Sequence, residues 1–160
     1  MLSKKTQYAF KALIYLSESY KRGPILISEI SIKKKIPLKF LENILLELRK
    51  AGVLESKKGK GGGYQFAMDP KDVSLARVMR LLDGPIALLP CVSLNFYEKC
   101  KDCDELVCGL NRMMIQVRDA TLQVLEHKSL ADLCSNDYEF PGSSGIPYLN
   151  DPQKILEGPE

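Results

Sequence analysis

The chain has one histidine, His127, in 160 residues. With no second imidazole, and with no carboxylates spaced as a metal or acid–base motif, an enzyme built on a nucleophile and its base has little to work with. No apolar run approaches the length needed to span a bilayer, and Met1-Leu2-Ser3-Lys4-Lys5 leads into an amphipathic helix in place of a signal peptide. A cytoplasmic protein without a membrane partner is the expectation. The glycines at Gly59, Gly61 and Gly62 neither complete a phosphate-binding loop signature nor open a helix after a strand, so nucleotide binding is weakly supported. No internal repeat is visible.

The charge, by contrast, is strongly divided. Residues 1–60 hold 14 Lys and Arg against 5 Asp and Glu, a net +9, whereas residues 61–160 hold 9 against 15, a net −6. The overall +3 conceals this polarity. A basic front half suits a polyanion bound with release of counterions.

Within that half, Leu41, Ile44, Leu45 and Leu48 recur at i, i+3, i+4 and i+7, which predicts an amphipathic helix from about Pro37 to Lys50. Pro37 suits a first turn and Gly52 a left-handed cap beyond the last. A shorter helix is expected between Ile25 and Lys35, with Ser28 as its N-cap and Ile27 and Ile30 facing inward. The break Lys34-Lys35-Ile36-Pro37 is as short as a helix-turn-helix requires. Downstream, Val53 to Ser56 and Tyr64 to Ala67 are expected to pair as strands around the loop Lys57-Lys58-Gly59-Lys60-Gly61-Gly62-Gly63. The pattern is that of a winged helix-turn-helix.

Lys39, Glu42 and Asn43 sit near the start of the second helix, where side chains reach base edges in a major groove. An amide such as Asn43 pairs with adenine, a carboxylate such as Glu42 accepts from a cytosine amine, and Lys39 serves guanine or a phosphate. Lys57, Lys58 and Lys60 would reach phosphates or a narrow minor groove from a wing kept thin by its glycines. Double-stranded DNA is therefore the expected partner. The rival reading is a winged-helix protein-interaction or zinc-binding module that does not read DNA. Its wing would have no need of lysines.

A first helix from about Lys4 to Tyr20, with Ala9, Leu13, Leu16 and Tyr20 on one side, packs beneath this unit. After an Asp69-Pro70 turn, Ser74 caps a helix whose buried stripe is Leu75, Val78, Met79 and Leu82, ended by Gly84-Pro85. A longer helix from about Cys108 to Glu126 carries Leu110, Met114, Val117, Thr121 and Val124 at heptad spacing, a seam for a second copy of the chain. Two-fold symmetry of a homodimer would match a palindromic operator. The expected class is mainly α, with a two-stranded β wing and a long dimerisation helix. Its parts are the DNA-binding unit 1–84, a cysteine-bearing loop 85–107, the dimerisation and C-terminal helices 108–134, and a flexible Pro- and Gly-rich tail 135–160.

Cys91, Cys100, Cys103 and Cys108 fall within eighteen residues as C-x8-C-x2-C-x4-C. Thiols clustered in a loop at the mouth of a helix can hold an iron–sulfur cluster of 2Fe–2S or 4Fe–4S type, or a structural zinc. Five cysteines in a reducing compartment read as metal ligands or redox thiols more naturally than as a disulfide framework. Cys134 lies outside the group as a packed thiol, and His127 lies on the surface.

Tyr8-Ala9, Ile36-Pro37, Phe40-Leu41-Glu42, Leu48-Arg49-Lys50-Ala51-Gly52, the Gly59-x-Gly61-Gly62-Gly63-Tyr64 wing, the cysteine loop and Ser129-Leu130-Ala131-Asp132-Leu133 resemble the Rrf-two family of bacterial winged-helix transcription regulators, with its IscR-, NsrR- and CymR-like branches. The resemblance spans about Met1 to Cys134. It implies a homodimer on a palindromic operator, with Glu42 and its neighbours reading bases and Lys58 entering the minor groove. Members that sense through a cluster hold it by three loop cysteines and a variable fourth ligand. By position Cys91 and Cys108 are the outer two, and either Cys100 or Cys103 is the middle one. The fourth ligand departs from the pattern, since Asn111 stands where IscR-like members have histidine and Gln7 where NsrR-like members have an acid. An all-thiolate cluster, directly responsive thiols without a cluster, and zinc remain open.

Overall fold

The computed structural model describes residues 2–134; the tail predicted for 135–160 lies outside the described residues. Five α-helices, α1 (Lys4–Glu18), α2 (Ile27–Lys34), α3 (Leu38–Lys50), α4 (Leu75–Asp83) and α5 (Gly109–His127), accompany one antiparallel hairpin, β1 (Leu54–Lys57) and β2 (Gly63–Phe66).

Several helix ends are set by local capping chemistry. Ser3 caps α1 by accepting from the Thr6 N–H, and Ser74 caps α4 by accepting from the Arg77 N–H. Gly52 stands beyond the last turn of α3 at φ +70°, which a side chain would strain. The Ser28 cap is not formed. Leu26 holds the N-cap of α2 with no side-chain hydrogen bond, because Ile25 is spent in a backbone bridge to Tyr64 of β2 (N–H to O 2.9 and 2.8 Å) and the chain enters the helix directly after it. Likewise α1 stops at Glu18, where the Ser19 N–H turns to the Leu16 carbonyl. Tyr20 thus leaves the helical face and lays its exposed ring edge-on to Phe66, centroids 6.1 Å apart.

The core lies where α1, α2, α3 and the hairpin root meet. Ala9, Leu13, Leu16, Ile30, Ile36, Leu41, Ile44, Leu45, Leu48, Val53 and Leu54 are essentially inaccessible, and this desolvated apolar surface is the main force holding the unit together. In α4 the buried residues are Leu75, Ala76, Val78 and Leu82; Met79 is only half-buried. The hairpin register pairs Leu54 with Phe66 and Lys57 with Gly63, so both strands lie one residue toward the loop tip from the sequence expectation. Gly63 has to be glycine, since a Cβ there would collide with the Ile25 carbonyl.

Helix α5 returns to this unit at its far end. Leu75 N–H donates to Lys128 O and Leu130 N–H to Val73 O (2.8 and 3.0 Å), and Leu130 is fully buried. Arg80 of α4 binds Glu126 of α5 at 2.6 Å. Among the described residues no helix is long and apolar enough to cross a membrane.

Candidate nucleic-acid interface and cysteine loop

The turn between α2 and α3 is set by Lys35, in the left-handed region at φ 53°, and locked by the Ser31 hydroxyl donating to the Ile36 carbonyl (2.6 Å). Ile36 is buried at the turn, so α3 leaves at a fixed angle and presents its first two turns outward. Lys39 is 94% exposed at its side chain, and its ammonium meets Glu42 at 3.3 Å. Asn43 is exposed. Leu38, the first residue of α3, is 44% exposed. Glu47, further along, is occupied by Lys5 of α1 at 2.7 Å, which ties the helix to the core and not to a ligand.

The other end of α3 is anchored twice. Arg49 donates to the Ser56 hydroxyl of β1 at 3.0 Å, and Arg77 of α4 donates to the Ala51 carbonyl at 3.2 Å, a cation at a helix C-terminus. The wing is therefore held in fixed relation to α3. Lys57 lies in β1, Lys58 and Lys60 in the loop, and all three are exposed. Gly59 and Gly61 adopt φ of 90° and 76°, and Gly62 N–H closes the loop on Gly59 O at 2.9 Å. A thin hairpin carrying three ammonium groups beside an outward-facing helix can place positive charge along a phosphate backbone while the helix meets base edges.

The cysteine loop is organised around two side chains, Glu105, which no sequence pattern flags, and Asn111, which stands where the family's ligand pattern is broken. Glu105 accepts from the Cys100 N–H (2.8 Å) and the Tyr97 hydroxyl (2.9 Å), folding the loop on itself. Asn111, buried in the first turn of α5, donates its side-chain amide to Cys91 Sγ and its backbone N–H to Cys108 Sγ, at 3.5 and 3.4 Å. The residue that replaces a ligand in the family pattern thus holds two of the four sulfurs directly.

Cys108 is the N-cap of α5. The Asn111 N–H, and next the Cys103 thiol, hold its pKa below the ordinary thiol value, as expected for a sulfur at a helix N-terminus. Hydrogen bonding to Cys100 and Cys108 pushes the Cys103 thiol up to about 12. Cys91 lies on the short 3-10 turn Pro90–Val92 and is joined to Cys108 through Asn111, which donates to both sulfurs. Four soft donors suit iron–sulfur or zinc chemistry, yet among the described residues no three Cys, His, Asp or Glu side chains converge as a metal-holding group. Cys134 packs against the Leu130 carbonyl (3.4 Å), and exposed His127 bonds through Nδ1 to the Gln123 carbonyl (2.7 Å). Gln7 is engaged by the Leu2 carbonyl at 2.9 Å.

Over residues 2–136 the chain matches the family described as Rrf2, iron-dependent transcriptional regulator. It is 40% identical over 137 residues to an Rrf2-like HTH-type transcriptional regulator of Rhodobacter capsulatus, covering 83% of this chain and 91% of that one. Its fold is similar to that of CymR, the global cysteine regulator of B. subtilis, with a TM-score of 0.71 and 27% identity over 84% of this chain and 95% of the other. It is also similar to T. potens IscR, with a TM-score of 0.66 and 25% identity over 83% and 85%.

Proposed function

The chain belongs to the Rrf2 family of transcriptional regulators, and from that membership we propose that it acts as a sequence-specific DNA-binding homodimer on a palindromic operator, controlled through its cysteine loop. The family is one of regulators and not of enzymes. The observation that carries the reading is the joint outward presentation of Lys39, Glu42 and Asn43 on α3 and of Lys57, Lys58 and Lys60 on a wing anchored to the same helix. Lys39, Glu42 and Asn43 read bases; the wing lysines neutralise phosphates.

Pairing of two copies is supported by the two faces of α5. Asn111, Arg118, Leu122 and Leu125 turn toward their own chain, with Arg118 donating to the Val92 carbonyl at 2.6 Å. The seam Leu110, Val117, Thr121 and Val124 is exposed, and Met114 half-exposed. Leu110 and Val124 are each more than half accessible, at 57% and 54%, a costly arrangement for a lone chain and an ordinary one for a dimer. Beside the seam opens a cleft of about 660 Å³ lined by Met79, Pro85, Ile86, Val117 and Thr121.

For the switch, Asn111 donating to the Cys91 and Cys108 sulfurs, and a Cys108 thiol at a helix N-terminus with its pKa lowered first by the Asn111 N–H, support direct thiol chemistry. The test is a gel shift with genomic fragments at moderate ionic strength, with protein purified anaerobically and assayed for iron, sulfide and zinc. A salt-sensitive shift by colourless, metal-free protein that is lost on mild oxidation is the expected result. Absence of any preferred fragment, with or without iron restored, would refute DNA reading; stoichiometric iron and sulfide would refute the thiol switch.

A further inference from the structure

The apolar stripe of α3 ends, at the start of the helix, on a residue that stays accessible. Beside Lys39, Glu42 and Asn43, the helix opens with Leu38, 44% exposed. Phe40, the other accessible apolar residue of that turn, packs its ring edge-on to Tyr8 of α1, centroids 5.8 Å apart, and so belongs to the core's margin. Leu38 has no such partner ring. An isolated exposed leucine says little in general; its position here says more. The first residue of a recognition helix is among those inserted deepest, and the one apolar group on the floor of a major groove is the 5-methyl of thymine.

We infer that Leu38 is a specificity-determining residue that packs against a thymine methyl in each operator half-site. The inference rests on the DNA-binding reading and deepens it. Lys39 leans back onto Glu42, leaving the approach to Leu38 free of its ammonium.

The experiment uses the full chain and its selected operator duplex, replacing each thymine of the half-site in turn by deoxyuridine, which removes only the methyl. For the native protein one position per half-site weakens binding about fourfold, the value of one buried methyl group. Leu38→Ala weakens binding to the thymine duplex by at least as much and binds the uracil duplex equally well. Indifference of the native protein to uracil at every position, or a uracil penalty that persists in Leu38→Ala, would overturn the assignment while leaving DNA reading intact. Failure to select any preferred duplex would overturn both.

Discussion

Lys58→Ala removes one of the three wing ammonium groups without touching the packing, because the side chain is exposed in the loop and the flanking pair Lys57–Gly63 keeps its register. In a dimer the change is made twice. Each phosphate contact contributes about 0.9 to the slope of log K against log salt, so the variant's slope should be shallower by about 1.8. Between 50 and 200 mM salt, wild-type binding should therefore fall by about twelvefold more than that of the variant. The measurement is fluorescence anisotropy of a labelled operator across that range, fitted for slope and not for affinity at one salt. An unchanged slope with weakened binding would mean that Lys58 acts other than on a phosphate, and the wing assignment would be wrong.

Other perturbations probe the remaining links. Leu45→Ala empties a site with no solvent access at the centre of the core and should cost about 2–5 kcal/mol in denaturant unfolding; a loss under about 1 kcal/mol would show that the site collapses freely. Val117→Asp places a charge in the exposed α5 seam and should yield monomers in sedimentation while leaving the helical spectrum unchanged. A dimer that persists would locate the pairing elsewhere. Burial opposes the charge on Asp83, but hydrogen bonds from the Ser3 hydroxyl, Thr6 hydroxyl and Ser3 N–H prevail and lower its pKa. Its contribution is thus present above the unfolded carboxylate pKa and lost as pH falls through the folded value. Asp83→Asn should lower stability at neutral pH and leave it unaltered at pH 2, and an equal loss at both would refute the linkage. Asn111→Ala removes the amide from Cys91 but keeps the backbone N–H on Cys108; alkylation mapped by mass spectrometry should quicken at Cys91 and stay constant at Cys108.

Much of the fold is written in short-range pattern. The stripe Leu41, Ile44, Leu45, Leu48 with Gly52 behind it located α3 to within a residue, and Ser74 located the start of α4, because periodicity and capping act within one or two turns. The features without a local signature depend on distant partners. Ser28 had the chemistry of a cap but lost the place to Leu26, since the Ile25–Tyr64 bridge joins residues far apart in sequence and leaves no local mark. Leu130 belongs to the Ser129–Leu133 motif, but nothing local marks it as buried; that follows from the bond of its N–H to the distant Val73 carbonyl.

The cysteines were legible as a cluster by spacing, yet their grouping was not. Asn111 marks a departure from the family's ligand pattern, and its amide donor and backbone N–H in a helix's first turn make it a sulfur-binding residue. Glu105 carries no motif at all; its role arises from where the loop folds back onto Cys100. Exposure also separated residues that helical phase alone grouped together. Glu47 shares the polar face of α3 with Lys39 and Asn43 but is tied to Lys5, a contact between helices that neither segment announces.

Selection of bound sequences from a random duplex pool, with the number of chains per duplex counted by sedimentation, bears most directly on whether two copies grip a symmetric site. An enriched inverted repeat occupied by two chains, its half-sites about one helical turn or a multiple of a turn apart, is the expected result. A pool that emerges without any enriched sequence, or a motif lacking two-fold symmetry bound by a single chain, would contradict it.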